Sequence, residues 1–282
     1  MLANLLSSIN TNVTEFLDRL IFINSDVTLN LINVLGKNSY SGINLICNSL
    51  IYGFLLYYAF SYLLSHLTFA QIESPHQFIF KLILCVFALN ASLVLCSGLI
   101  FIFSYVSNMI RELGNYLLGV DVSFTGLISN VIPKDYFISN SFSLFNFDGI
   151  LKASISFGFL SLTISYSIRY ILIKTLVILA PFAILSLCSS KTNWFFKSWF
   201  KSLLSMLFLQ IFVAIILLVC FIVENNGVAS LPSQIIHLGM IYTLFKANSF
   251  VKEFIGGFGT DVSLNASSLS SFFRGGDLKW SL

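Results

Sequence analysis

Apolar residues dominate this chain in long runs, and most polar residues are gathered into the gaps between them. Residues 1–42 are the exception. Leu2, Leu5, Ile9, Val13, Phe16 and Leu20 recur at helical spacing, with Asn4, Asn10, Thr11, Glu15 and Asp18 between them. That pattern predicts an amphipathic helix, lying either in the membrane interface or against the rest of the protein. Ile43 to His66 is the first long run and contains no Asp, Glu, Lys or Arg. A crossing needs about 20 residues at roughly 1.5 Å each, so this run predicts a first span. Pro75, in the turn Glu73–Gln77, separates it from a second predicted span, Leu82 to Ser107. There Ala88, Ser92 and Cys96 form a small-residue stripe of the kind that lets helices approach closely in lipid. Asn90 is expected to bond to another helix.

Residues 108–152 are the longest polar segment between runs. They hold Arg111, Lys134 and Lys152, four acids, and a turn at Pro133–Asp135. Phe124, Leu127, Ile128 and Val131 keep apolar character there, which predicts short amphipathic helices. Ala153 to Ser189 is then too long for one upright span. As a single helix it measures about 55 Å against a hydrocarbon core of about 30 Å. Arg169 and Lys174 sit near its middle, Ser154, Gly158, Ser161 and Ser165 form a second stripe, and Pro181 removes a backbone donor. One long, tilted and kinked helix is the preferred reading. A break near Arg169, giving six spans, is the other.

Thr192 to Lys201 opens the next helix. Trp194, Lys197 and Lys201 share one face, and Phe195, Trp199 and Leu203 another. Aromatics with lysines mark the headgroup level. Ser202 to Val223 predicts a span with Gln210 as its one strongly polar side chain. Val228 to Asn248 is less apolar, interrupted by Pro232, but long enough to cross. The expected fold class is therefore all-α. It is a polytopic membrane protein with about five transmembrane helices and an amphipathic N-terminal helix. The expected organisation is an extracytoplasmic segment 1–42, two spans within 43–107, and an extracytoplasmic loop 108–152. A transmembrane core follows at 153–250, with a cytoplasmic hairpin at 190–201 and a cytoplasmic tail at 251–282.

Composition strengthens this reading. Hydrophobic residues make up 57% and charged residues 10%, whereas soluble domains hold about 45–50% and about 25%. Too little charge is present to cover a soluble surface of this size. The net charge is +3, and its placement carries more information than its size. One set of alternate connections holds Lys81, Lys191, Lys197, Lys201, Lys246, Lys252, Arg274 and Lys279. The other holds Arg19, Lys37, Arg111, Lys134 and Lys152. The short hairpin 190–201 weighs most, because positive charge orients short loops best. It predicts a cytoplasmic hairpin and C-terminus, with the N-terminus outside. Residues 1–12 carry no Lys or Arg, which is unlike a secretory leader.

Several chemistries lack their residues. No phosphate-loop motif is present. The three histidines lie on separate segments, so no metal site and no cofactor are expected. The five cysteines are scattered through apolar runs without CxxC spacing and are read as small core or lipid-facing residues. No predicted span contains Asp or Glu, which disfavours a proton-coupled carrier. What remains is Arg169 and Lys174 within an apolar run. Such charges either snorkel to the headgroups or serve a functional path. With no acid in any span, burial would require backbone carbonyls, water or a partner subunit.

The stretch from Arg169 to Gln210 holds five of the fifteen basic residues, two of the three tryptophans and no acid. Arg-Tyr-Ile-Leu, then Leu179-Ala180-Pro181-Phe182-Ala183, a short loop, Trp199 and an apolar helix with Gln210 resemble one known family. This is the core of the TrbL-type polytopic inner-membrane subunit of type IV secretion systems. The glycine cluster Gly256, Gly257 and Gly259 is also similar, and the resemblance covers about residues 150–260. The chain is short for that family and lacks its long hydrophilic C-terminal domain.

The resemblance implies a non-enzymatic channel or scaffold subunit in the bacterial cytoplasmic membrane. It implies a homo-oligomer that gathers other secretion-system membrane subunits and separate ATPases, and passes DNA or protein. It gives Arg169 the task of lining an aqueous path or holding a neighbour. Pro181 would shape a kink, Trp199 would anchor the hairpin and Gln210 would bond between helices. Lys174, and the basic hairpin residues Lys191, Lys197 and Lys201, complete the candidate set. The competing readings are a small-molecule transporter or exporter permease, which predicts an internal repeat not seen here, and a purely structural membrane assembly protein.

Overall fold

The computed structural model describes residues 13–23, 42–68, 74–119, 121–131, 147–189, 192–225 and 230–255. Among them every regular element is helical: α1 (Thr14–Ile21), α2 (Gly42–Thr68), α3 (Pro75–Asn90), α4 (Ser92–Leu118), α5 (Phe124–Val131), α6 (Phe147–Leu185), a 3₁₀ turn (Ser186–Cys188), α7 (Asn193–Asn225) and α8 (Ser230–Ile255). Four of these are long and apolar enough to cross a membrane, namely α2, α4, α6 and α7. The protein is an all-α polytopic membrane protein. The fifth expected crossing, α8, has the length but not the hydropathy of the other four.

The long run after residue 147 is one helix of 39 residues, with Pro181 inside it. Its buried seam reads Ile155, Phe159, Leu162, Tyr166, Arg169, Ile173, Val177, Ala180 and Ile184. The opposing seam of α7 reads Trp199, Leu203, Met206, Gln210, Val213, Leu217 and Cys220. Both repeat at three and four residues, the geometry in which antiparallel helices interlock. The turn between them is closed by Thr192, whose Oγ1 donates to the Ser186 carbonyl at 2.7 Å. Trp199 fastens the seam by donating from Nε1 to the Leu176 carbonyl at 2.8 Å.

The α4 helix packs on α7 as well: Cys96 clusters with Trp199, and a Cβ on Gly114 would fall 2.7 Å from Leu218 Cδ1. So α4 runs in the same direction as α7, and Gly114 leaves room for the side chains of both Leu218 and Val122. Gly119, at φ +66°, ends α4 in the left-handed conformation that glycine tolerates best. The α8 helix returns along α6 and α7. Tyr166 Oη donates to the Leu244 carbonyl at 3.4 Å, and Phe212 stacks on Phe250 at 5.4 Å. Gly158, from the predicted small-residue stripe, meets α8, where a Cβ would fall 2.9 Å from Ile241 Cγ2.

The expected second span, Leu82 to Ser107, is corrected. The backbone breaks at Ala91 (φ −87°, ψ 2°) into α3, of 16 residues, and α4, of 27. At about 24 Å, α3 is shorter than the hydrocarbon core. Asn90 supports the break. Its Nδ2 folds back onto the Val86 carbonyl at 2.9 Å, and its Oδ1 lies 3.5 Å from Asn48 Nδ2 of α2, the expected contact with another helix.

A second departure concerns order along the membrane normal. Cys47 and Ile51, near the start of α2, cluster with Ile184, Leu185 and Cys188 beside the α6–α7 turn. Strict alternation of spans puts those two groups at opposite faces, and packing puts them at one end. The α2–α3 pair touches the bundle mainly there. Its rings Tyr58 and Phe78 stack on each other, 3.7 Å between centroids. Only 17% of the spanning window of α2 is buried, against 50% in α6 and α7.

The described part of the amphipathic N-terminal segment, α1, is packed on the bundle, and residues 1–12 lie outside the described residues. Leu17, Leu20 and Ile21 of α1 are buried against α5 and α6. Glu15 and Arg19 pair at 2.8 Å on the exposed side. Where short amphipathic helices are expected in the polar segment after α4, the described residues contain one, α5. Lys191, Gly256, Gly257 and Gly259, the turn Pro133–Asp135, and the tail from residue 256 lie outside the described residues.

Candidate functional site

Arg169 is the bulkiest fully buried side chain among the described residues, at 1% exposure. It sits at a seam position of α6, so the helix itself aims it at α7 rather than at lipid. Its Nε donates to the Met206 carbonyl at 3.0 Å and its Nη2 to the same oxygen at 2.5 Å. Its Nη1 donates to the Ile21 carbonyl, at the end of α1, at 3.3 Å. The guanidinium also lies 5.9 Å from the ring centroid of Tyr166, one turn back along α6. Arg169 therefore does not snorkel. Of the routes to burial that the sequence leaves open, the backbone carbonyls are the ones used here. Two of its five N–H groups have no acceptor, and no carboxylate pairs with it, among the described residues.

Such a charge is tolerated because both acceptors are backbone dipoles, whose bonds a low-dielectric interior strengthens. The Met206 carbonyl already belongs to the helical ladder of α7, and Ile21 accepts from Ile23 N–H at 3.1 Å. Arg169 adds two bonds to the first and one to the second, and so joins α6, α7 and α1 at one level.

Gln210 lies one turn after Met206 on the same face of α7. It is fully buried, and neither Oε1 nor Nε2 has a hydrogen-bond partner among the described residues. The predicted interhelical bond is not made among the described residues. Lys174 is half-buried, with Nζ 4.6 Å above the Tyr170 ring. Pro181 is buried inside α6, four residues before the helix gives way to the 3₁₀ turn, where Ser186 Oγ donates to the Ala183 carbonyl at 2.6 Å. Trp199 is buried in the seam, while Trp194, Lys197 and Lys201 face outward as expected. The geometry thus brings together Arg169 and the Met206–Gln210 turn. Lys174, Pro181 and the lysines remain spread along the two helices.

Sequence reasoning missed two contributors. Tyr166 is a seam residue hidden in a helix that is apolar all round. Asp18 looked like part of a solvated face, yet its carboxylate accepts from Phe124 N–H at 3.0 Å, Thr125 N–H at 3.2 Å and Thr125 Oγ1 at 2.9 Å. It caps α5 and ties α1 to it. Burial pushes the Asp18 carboxyl above its ordinary value, opposed in part by those three bonds and by Arg111. Arg111 donates from Nε to the Val122 carbonyl at 2.8 Å and covers the Phe22 ring at 4.4 Å. These contacts hold the segment carrying Ile21 against Arg169.

No group of three or more metal-ligating side chains exists among the described residues. Comparison with known proteins returned no matching family model, no matching curated protein and no matching solved structure.

Proposed function

We propose that this chain is a non-enzymatic membrane subunit of a type IV secretion apparatus. It acts as a scaffold for the channel that carries conjugative DNA or exported protein. The reading rests on the resemblance of residues 150–260 to TrbL-type subunits. The observation that carries it is the Arg169 brace, which lies in the stretch that bears the resemblance and fixes three helices around one buried charge. The brace favours a scaffold over a solute carrier, because Arg169 is sealed between helices and faces no open path.

The outward apolar surfaces of α2 and α3, including Leu56, Phe60, Phe80 and Phe87, suit packing against further copies or other membrane subunits. Separate ATPases supply the energy. The membrane is the bacterial cytoplasmic membrane, with the basic hairpin and the C-terminal tail in the cytoplasm. The packing of Cys47 and Ile51 beside the hairpin speaks against an N-terminus on the opposite side from it.

The test is transfer frequency in the host's secretion system, with the membrane level of the protein followed in parallel. Arg169→Met, which keeps the side-chain volume, is expected to abolish transfer at a normal protein level. A deletion of the whole chain that leaves both DNA and protein transfer intact overturns the proposal.

A further inference from the structure

All five cysteines are buried and unbridged. Three of them, Cys47 of α2, Cys85 of α3 and Cys188 of the 3₁₀ turn, fall in the cluster that joins the α2–α3 pair to the end of α6. Two of the three meet. The thiols of Cys85 and Cys188 are within hydrogen-bonding reach of each other, and the Cys188 backbone N–H is turned to Cys85 Sγ as well. Cys85 Sγ also donates to the Ile184 carbonyl at 3.3 Å, one turn before Cys188. Three groups of the Ile184–Cys188 turn thus position a single sulfur of α3. Cys96 and Cys220 belong to the other two clusters.

We infer that Cys85 and Cys188 form a reversible dithiol–disulfide pair whose oxidised form ties α3 to the α6–α7 turn. Each sulfur is the other's partner, so nothing has to be accommodated between them. A disulfide needs its two Cβ atoms about 4 Å apart, and thiols already within reach across two elements approach that by side-chain rotation. The oxidant is a hydroperoxide. Its O–O bond breaks, one oxygen joins one sulfur as a sulfenic acid, and the other leaves as water. The second thiol attacks that sulfur, the S–S bond forms, and the hydroxyl leaves with the attacking thiol's proton as a second water. Two thiols and one hydrogen peroxide give one disulfide and two waters, and a dithiol reductant reverses the step by exchange. Both thiols are buried, so oxidation follows local opening. Only 17% of the spanning window of α2 is buried, and a segment with so few buried contacts opens at low free energy. When the contact parts it exposes both sulfurs, and when it closes it sets them side by side.

The full-length chain is purified in detergent, reduced with dithiothreitol, freed of it, and exposed to graded hydrogen peroxide. Remaining thiols are blocked with iodoacetamide in denaturant, and peptides are mapped by mass spectrometry without reduction. Cys85 and Cys188 are expected to leave the alkylated pool together, with a linked peptide joining them, and to return on adding dithiothreitol. Cys47, Cys96 and Cys220 should stay alkylatable at the same dose. In Cys85→Ser, Cys188 has lost its partner and should be trapped by dimedone as the sulfenic acid, with no linked peptide. Cys188→Ser does the same for Cys85 and serves if Cys85→Ser does not fold. The oxidised chain should exchange backbone hydrogen several-fold more slowly than the reduced chain over residues 75–90, a change absent from a folded serine variant. No Cys85–Cys188 link at doses that leave the chain folded, parallel loss of all five thiols, a link through Cys47 as the main product, or a link that leaves exchange over 75–90 unchanged overturns the inference.

Discussion

Arg169 and Met206 meet through one oxygen atom. The carbonyl of Met206 accepts from Nε at 3.0 Å and from Nη2 at 2.5 Å, while the third bond of the guanidinium goes to α1. The charge thus acts as a three-way fastener. Arg169→Met keeps the volume and strands no acceptor, because both carbonyls retain backbone partners. It is expected to leave the membrane helices intact and to raise hydrogen exchange in residues 14–23. Arg169→Ala should lower stability by a further ~2–5 kcal/mol through the void it leaves. Thermal unfolding in detergent, with hydrogen exchange read by mass spectrometry, separates the two. Unchanged exchange over α1 in both variants removes the fastening role.

Gln210 makes the opposite case. A buried amide with neither atom partnered is destabilising by about 1–3 kcal/mol. Gln210→Met is expected to raise the thermal midpoint of the isolated chain. A fall instead would mean that a neighbouring copy or a water satisfies the amide in the purified protein, and crosslinking at this level would then be the next measurement.

How much of this was visible in the chain depends on what each residue signals. The spans at α2, α6 and α7 follow from apolar run length, and Arg169 stands out because an isolated charge in such a run is anomalous. Its partners leave no trace, since a backbone carbonyl has no sequence signature. The seams were hidden as well. On a helix apolar all round, the three–four repeat carries no contrast, so Tyr166 looked like its neighbours. The break at Ala91 has neither Gly nor Pro to announce it. Asp18 misled for a different reason, since a carboxylate capping a short helix has the same spacing as one facing water.

Gly158 gives a steric prediction. A Cβ there would fall 2.9 Å from Ile241 Cγ2, so Gly158→Leu forces α6 and α8 apart. The expected loss is about 1–3 kcal/mol, typical of overpacking, with partial recovery in the double variant carrying Ile241→Ala. Additive losses in the double variant contradict the contact.

Asp18 supplies the pH dependence. Its carboxyl is held above the ordinary value of 3.8 by burial. The folded chain therefore binds this proton more tightly than the unfolded chain. The stability it contributes is fully present below the ordinary value and is lost as the pH rises through the raised one. Hydrogen exchange in α1 is expected to slow as the pH falls from neutral toward about 4, after correction for the intrinsic exchange rate. Asp18→Asn should flatten that dependence. A dependence that survives in Asp18→Asn assigns it to another group.

The α2–α3 pair has one further consequence. A helix of 27 residues measures about 40 Å, longer than a hydrocarbon core of about 30 Å. The long helices of the bundle are fixed by their seams and cannot change tilt without breaking them. The pair is held mainly at one end, so its inclination is free to follow the lipid. Bilayer thickness is therefore registered by α2 and α3 while the bundle beside them keeps its packing, and a thicker or thinner membrane reorients the outward surface without disturbing the Arg169 junction.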